Sequence, residues 1–226
     1  MSPLSSLEKT GLIKRKECWR LTLRGWLALL LSIGIAMVAA FNIILPFLAQ
    51  NDSIRCDLLI VEGWVPDYSL QDVKAEFEDG GYHLLVITGG PILKGEPFAE
   101  FKTFPEFTRA ILLKKGWDEH KVVAIPSGEA VRDRTYASAV ALKRWISDSK
   151  RNVQRINIYS MGAHARRTRM LFRMAFKDQI EVGVIAGKDL RFDGKHWWRT
   201  SEGVRTILDE MIAYLYARFI FSPAKL

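Results

Sequence analysis

The stretch RINIYSMGAHARRTRMLFRMAF, residues 155–176, joins an apolar run to a helical pattern through a glycine turn. The run RINIYS is rich in β-branched and aromatic residues, which is typical of a buried strand. The following residues repeat apolar side chains at helical spacing. This pattern predicts that one set of side chains faces a sheet: Met170, Leu171, Met174 and Ala175.

The same alternation recurs along residues 55–226 of the 226-residue chain. Further apolar runs are DLLIVE (57–62), HLLVIT (83–88), KVVAIP (121–126) and EVGVIA (181–186). Helical patterns fall at about 69–79, 104–116, 133–149, 164–177 and 201–221. Strands that alternate with helices favour parallel pairing with right-handed crossovers. The sequence therefore predicts an α/β fold: a three-layer, Rossmann-like, mostly parallel sheet of about five strands, preceded by one N-terminal transmembrane helix.

The transmembrane helix is predicted from WLALLLSIGIAMVAAFNIILPFLA, residues 26–49, which contains no charged side chain. About 24 helical residues at ~1.5 Å each cross a hydrocarbon core of ~30 Å with some tilt. A signal peptide and a buried core helix are the alternatives, but no small-residue cleavage site follows the run. We predict a basic segment over residues 1–25, an anchor over 26–49 and an extracytoplasmic domain over 55–226.

The charges that flank the anchor predict its orientation. Basic residues dominate before it: Lys9, Lys14, Arg15, Lys16, Arg20 and Arg24. Because positive residues stay on the cytoplasmic side, the N-terminus is expected inside and the domain outside the cytoplasmic membrane. Much of the formal net charge of +8 then reflects membrane topology, and nucleic acid is not an expected partner.

Several chemistries find no support in the sequence. The chain has two cysteines, Cys18 and Cys56, which on this topology lie on opposite sides of the membrane and form no disulfide framework. The histidines have no metal-ligand spacing, so no metal is predicted. No Walker A motif, G-x-S-x-G elbow or G-x-G-x-x-G motif occurs at the required position, and no cofactor is predicted.

Polar residues and glycines cluster where the predicted strands end. Ligands of open α/β sheets bind outside the carboxyl ends of the strands, so these residues are expected to share a site. We predict ligand-binding roles for Gly63, Thr88, Gly89, Gly90, Thr135, Arg166 and Arg167, and catalytic roles for His164, Asp133 and Glu62.

The basic residues in the first turn of the predicted helix at 164–177 are expected to destabilise that helix. A helix N-terminus carries partial positive charge, so Arg166, Arg167 and Arg169 oppose the macrodipole. One explanation is an anion site, in which the arginines clamp a phosphate or carboxylate and His164 donates a proton or a hydrogen bond. The other is a solvated or acid-paired basic face. Asp133 is equally well explained as a helix cap or a catalytic carboxylate.

The order of these motifs resembles the ElyC/SanA/YdcF family of bacterial domains over about residues 56–190. The similarity lies in EGW after strand 1, TGG at 88–90, DRTYASA at 133–139 and GAHARRTRMLF at 162–172. The family pattern matches Thr135, Ala139, His164 and Arg167 but has other residues at Trp64, Arg134 and Ser138. The resemblance implies a Rossmann-like domain, tethered to the bacterial inner membrane and facing the periplasm, with a role in envelope integrity or in peptidoglycan or lipid-carrier metabolism.

Three functions are compatible with these features. The first is binding or processing of an anionic, phosphate-bearing envelope metabolite such as a glycan or polyprenyl carrier, which leaves open whether the chain is an enzyme. The second is a non-enzymatic envelope assembly or permeability protein, acting through Trp197, Trp198 and YLYARFIF at 214–221. The third is a nucleotide- or S-adenosylmethionine-binding domain, which requires the opposite topology.

Overall fold

The computed structural model describes residues 19–92, 100–128, 133–177 and 179–223. The chain divides into two compact units, Met1–Ala40 and Phe41–Leu226. Helix α1 (Leu23–Leu48) is long and apolar enough to cross a membrane, with Pro46 in its last turn. It is therefore compatible with a single-pass membrane protein. Most of the predicted basic segment, residues 1–18, lies outside the described residues.

The described part of the second unit confirms the predicted strands and helices. The strands are β1 (Leu58–Glu62), β2 (Leu84–Gly89), β3 (Val122–Pro126), β4 (Arg155–Met161) and β5 (Glu181–Gly187). The helices are α2 (Ser69–Asp79), α3 (Phe104–Lys114), α4 (Arg134–Asp148), α5 (Ala165–Phe176) and α6 (Ser201–Phe219). Each lies within a few residues of its predicted position, because the apolar runs and turn residues mark the boundaries clearly.

The five strands form one parallel sheet in the order β3-β2-β1-β4-β5, so the α/β fold class is confirmed. The chain moves outward from β1 to β3 and then returns to place β4 beside β1. The direction of winding thus changes between β1 and β4, and a crevice opens at their carboxyl ends. Glu62 ends β1 at this position, and His164 follows β4.

The continuous apolar character of the strands follows from burial on both faces of the sheet. Leu58 and Ile60 belong to the core that includes α4 and α5 residues, whereas Leu59 and Val61 belong to the core with α2 and α3 residues. Successive side chains of a strand point to opposite faces, so both sets must be apolar when helices cover both sides. The result is a three-layer α/β/α arrangement.

Helix α5 packs through a face that differs from the sequence prediction. Leu171 and Ala175 are buried as expected, and Phe172 and Phe176 join them in the interior. Met170 and Met174 are only half-buried and line a groove at the surface instead. The two phenylalanines bury more apolar area than the methionines, and this difference determines the rotation of the helix about its axis.

The segment that follows α1 is attached to the edge of the sheet. Asp52 forms an antiparallel bridge with Val184 of β5, which covers that edge strand. The side chain of Asn157 lies over Gly183 and bonds both backbone groups of Ile54, with the Nδ2 donating to the carbonyl oxygen at 2.7 Å and the Oδ1 accepting from the amide at 3.0 Å. Because Asn157 and Gly183 are register partners, the glycine leaves room for this contact.

We expect Gly183→Ala to destabilise the protein, because its Cβ would lie 2.0 Å from Asn157 Oδ1 and 3.0 Å from the Asp52 carbonyl oxygen. Overpacking of this kind lowers the free energy of unfolding by about 1–3 kcal/mol. For a chain of this size the melting temperature should fall by several degrees, at about 2–4 °C per kcal/mol. Thermal unfolding of the full chain in detergent measures the effect.

Gly128→Ala is the matched control, since no described atom lies within 4 Å of its Cβ position. Equal melting temperatures for the two variants would contradict the role assigned to Gly183.

Candidate functional site

A cleft of about 500 Å³ lies at the carboxyl ends of the strands, where the winding of the sheet reverses. All but two of the candidate site residues line it: Glu62, Thr88, Gly89, Gly90, Asp133, Thr135, His164 and Arg167. They come from the ends of β1 and β2, the start of α4, the turn between β4 and α5, and the first turn of α5. The parallel sheet brings these separate motifs together because the end of every strand lies at the same edge.

The two exceptions have structural contacts elsewhere. The guanidinium of Arg166 lies 4.0 Å from the centre of the Phe47 ring, and its Nε donates to the Phe47 carbonyl oxygen. Gly63 permits close packing, because a Cβ at that position would lie 2.9 Å from backbone atoms of Phe104 and Pro105. The prediction that Arg166 clamps a ligand beside Arg167 therefore has no support from the position of its side chain.

Glu62 is the buried acid at the floor of the cleft, with only 3% of its surface exposed. Ser160 Oγ donates to its Oε2 at 2.5 Å, and Thr168 Oγ1 donates to the same oxygen at 3.3 Å. Burial by itself would raise the pKa of this carboxyl. The charge of His164 and the hydrogen bonds from His164 and Ser160 outweigh burial, so the pKa lies below its usual value and the group is ionised.

His164 lies between two carboxylates. Its Nε2 is 3.4 Å from Glu62 Oε1, and its Nδ1 is 2.8 Å from Glu210 Oε1. Burial would lower the pKa of the imidazole, but the charge of Glu62 and the hydrogen bonds to both acids raise it to about 9. His164 is consequently an imidazolium at neutral pH, so both of its ring nitrogens carry a hydrogen that they can donate.

Arg167 completes this buried cluster through a forked ion pair with Glu210. Its Nε lies 2.9 Å from Oε2 and its Nη2 lies 3.0 Å from Oε1. Arg167 Nη2 also lies 2.8 Å from His164 Nδ1. The proton on His164 Nδ1 points to Glu210, so His164 and Arg167 do not hydrogen-bond each other. They are two cations held close together by the same carboxylate.

Two cations and two anions thus balance within the cluster Glu62–His164–Glu210–Arg167. Although burial opposes ionisation, the hydrogen bond and charge of His164 and the ion pair with Arg167 lower the pKa of Glu210 to about 2. The basic start of α5 is therefore acid-paired at Arg167, which was one of the two explanations that the sequence left open.

Glu210 itself was absent from the sequence predictions, although the sequence contains a signal for it. It lies on α6 between Ile207 and Tyr214, which belong to the apolar side of that helix. A charged residue on a buried helical face requires a partner, so this position could have been marked as an ion-pair site. The sequence could not identify the partner, because His164 lies 46 residues away.

The start of α4 also lines the cleft and carries groups that are suited to an anion, close to His164, since Thr135 Oγ1 lies 3.5 Å from His164 Nε2. Helix α4 begins at Arg134, and its N-cap Asp133 has a left-handed backbone (φ 53°) and makes no side-chain capping bond. The first amides of α4 thus have no side-chain acceptor at the N-cap, and the exposed Arg134 lies beside them in the cleft lining. Thr88 lines the same cleft, and its fully buried Oγ1 has no hydrogen-bond partner among the described residues.

Trp64 adds an aromatic surface at the cleft. Its indole remains 39% exposed and contacts the His164 ring edge-on, with the ring centres 5.2 Å apart. Within the described residues, no group of three or more His, Cys, Asp or Glu side chains is arranged to hold a metal ion. Among the described residues, the cleft thus combines a neutralised charge cluster, a helix N-terminus that Asp133 does not cap, the exposed Arg134, a hydroxyl with no partner and an exposed aromatic ring.

The pH dependence of stability tests the charge state of His164. The pKa of His164 is raised from 6.5 to about 9 in the folded protein. Its ion pairs therefore contribute fully to the stability of the fold below pH 6.5, and this contribution is lost as the pH rises towards 9. The contribution of Glu210 is lost only as the pH falls from about 4.5 towards 2. We expect the melting temperature to fall between pH 6.5 and pH 9 in the wild-type protein, and to fall less in His164→Gln.

His83→Gln is the matched control, since His83 has 82% of its side chain exposed. An identical slope in the wild-type protein and in His164→Gln would show that His164 does not carry the titrating charge.

Neither protein-family models nor curated protein sequences yield a match to this chain. The geometry of the cleft is therefore the basis on which a function can be assigned.

Proposed function

We propose that this chain is a membrane-anchored cell-envelope protein whose cleft binds a phosphate-bearing metabolite, such as a phosphorylated glycan or a polyprenyl carrier. The observation that carries the proposal is the α4 wall of the cleft. There the N-cap Asp133 makes no side-chain capping bond and Arg134 is exposed. The hydroxyl of Thr88 on β2, which has no partner among the described residues, lines the same volume of about 500 Å³. Backbone amides at a helix N-terminus and a guanidinium fork are the groups that proteins use for phosphate.

The other groups of the cleft suit a ligand that is larger than a free phosphate. Trp64 offers an exposed ring face, on which an apolar sugar face can pack. Asp133 and Glu62 offer carboxylate acceptors for hydroxyl groups. A volume of about 500 Å³ is within the range of small-molecule sites. A sugar phosphate can therefore contact more of these groups than a free phosphate or a free sugar can.

His164 is the group through which binding could lead to chemistry. It is protonated at neutral pH, with the pKa raised to about 9 by its two carboxylate partners, and it lines the cleft. Its Nε2 is the more loosely held nitrogen, at 3.4 Å from Glu62 Oε1, so a leaving oxygen of the ligand that displaces this contact can accept the Nε2 proton. The proposal assigns the phosphate to the Arg134 wall and the proton donor to His164.

The anchor supplies the cellular context of the proposal. Helix α1 is compatible with one membrane crossing. The basic residues before it favour an N-terminus inside the cytoplasm and a domain on the periplasmic side of a bacterial inner membrane. The resemblance of the TGG and GAHARRTRMLF motifs to the ElyC/SanA/YdcF family adds to this assignment, since that family is tied to envelope metabolism.

A thermal-shift screen of the full chain in detergent tests the proposal. We expect N-acetylglucosamine 1-phosphate and a polyprenyl phosphate to raise the melting temperature, and unphosphorylated N-acetylglucosamine not to do so. A ligand at 100 times its dissociation constant raises the apparent free energy of unfolding by about 2.7 kcal/mol. For a chain of this size that corresponds to a rise of about 5–10 °C in the melting temperature. Arg134→Ala removes a charge-assisted hydrogen bond of about 1.5–3 kcal/mol and should weaken binding about 10- to 100-fold.

Arg144→Ala is the matched control, because Arg144 is exposed on the same helix and does not line the cleft. The proposal fails if no phosphorylated compound shifts the melting temperature, or if Arg134→Ala binds as well as Arg144→Ala. A shift with S-adenosylmethionine alone would replace the envelope metabolite with a nucleoside ligand.

A further inference from the structure

The aromatic turn after β5 contacts the helix that is apolar enough to cross the membrane. Trp197 stacks on Phe41 of α1 with ring centres 5.2 Å apart, and its Nε1–H donates to the Phe41 carbonyl oxygen at 3.0 Å. Trp198 approaches the same ring edge-on at 5.6 Å and remains 37% exposed. Phe41 belongs to the same compact unit as the sheet, so these contacts are internal to it.

The position of Phe41 along α1 indicates how deep Trp197 and Trp198 would lie in a bilayer. Phe41 lies eighteen residues after the start of the helix at Leu23, which is about 27 Å at ~1.5 Å per residue. A hydrocarbon core is ~30 Å thick. If α1 spans a bilayer from its first residue, Trp197 and Trp198 therefore lie near the boundary between hydrocarbon and headgroups, where tryptophan side chains are enriched.

Helix α6 lies beside the same end of α1 and exposes an apolar stripe. Tyr214 contacts Phe47 edge-on at 5.4 Å, and Ile207 shares a buried cluster with Leu48. On a different side of α6, four large apolar residues at helical spacing remain 44–76% exposed: Leu208, Ile212, Leu215 and Phe219. A stripe of this kind on an otherwise well-packed domain marks an interaction surface.

A basic groove adjoins this end of α1. It has a volume of about 510 Å³ and starts at Gln50, two residues after α1 ends. Five of its lining residues are basic, whereas none of the described lining residues is acidic: Arg166, Arg169, Arg173, Lys177 and Arg218. Positive charge at the level where an apolar span ends complements the anionic headgroups of a bilayer.

We propose that the bilayer is the partner of this surface: the Trp197–Trp198 turn and the apolar stripe of α6 insert into the lipid interface beside α1, while the basic groove contacts anionic headgroups. Three independent features favour lipid over a second protein copy. The surface is continuous with the apolar helix, its tryptophans lie at interfacial depth, and its charge has the sign that headgroups attract.

Helix α6 also connects the proposed lipid-contacting surface to the cleft. Glu210 projects from α6 into the cleft, so the helix that contacts lipid forms part of the cleft wall. The cleft therefore shares α6 with the surface that is proposed to contact lipid, which favours the lipid-linked form of the phosphate ligand. This last step rests on the proposed function, whereas the docking itself rests on α1 spanning a bilayer.

Photocrosslinking of the full chain in lipid nanodiscs tests the docking. The residue p-benzoylphenylalanine replaces Phe219 on the stripe and, in a second variant, Ile212. The same residue replaces Phe107 of α3 as the matched control, which is a phenylalanine with 43% exposure away from the stripe. We expect adducts of phospholipid mass at positions 219 and 212 and none at 107.

A crosslinked dimer at position 219 without lipid adducts would overturn the proposal in favour of an interface between copies of this chain. Equal lipid labelling at positions 219 and 107 would also overturn it. These outcomes do not depend on any ligand of the cleft, so they remain decisive even if the proposed function fails.

The double variant Ile212→Ser, Phe219→Ser tests the preference for a lipid-linked ligand. We expect its affinity for a polyprenyl phosphate in nanodiscs to fall about tenfold and its affinity for N-acetylglucosamine 1-phosphate to stay unchanged. An equal affinity for the polyprenyl phosphate in the variant and the wild-type protein would overturn the lipid-linked preference. If the wild-type protein binds neither compound, the proposed function and this preference fail together, and the crosslinking result still decides the docking.

Discussion

The burial of the Glu62 carboxylate at the end of β1 is the constraint on which the site depends. A carboxylate that is 3% exposed at the centre of a parallel sheet needs hydroxyl donors and a cation. Ser160 supplies the nearest donor, and His164 supplies the charge. His164 in turn requires Glu210, which also holds Arg167. One buried acid thus determines the positions of side chains from β1, β4, α5 and α6.

Helix α6 acquires two roles from this network. Through Glu210 it contributes to the cleft, and through Ile207 it packs with Leu48 at the end of α1. A change in the position of α6 would therefore disturb both the charge cluster and the attachment to the apolar helix. This coupling links the charge cluster of the cleft to the end of the apolar helix α1.

The three arginines at the start of α5 each have a different partner, and their spacing in the sequence does not show which partner each one has. Arg167 pairs with Glu210 inside the cluster, Arg166 packs on Phe47, and Arg169 pairs with Asp52 at 2.7 Å. The proposed anion site therefore uses a different arginine, the exposed Arg134, which lines the cleft at the N-terminus of α4. Arginine side chains are long enough that three neighbours on one helix reach three separate partners.

The sequence by itself determined the order and boundaries of the strands, the α/β class and the grouping of Glu62, Thr88, Asp133 and His164 at one edge. These features depend on local periodicity and on the rule that parallel strands end together. Only the tertiary structure decided the partners of the charges: Glu210 for His164 and Arg167, and Phe47 for Arg166. It also decided that Phe172 and Phe176, rather than Met170 and Met174, enter the core. Pairing and packing depend on which side chains meet across large sequence separations, and local periodicity carries no information about those distances.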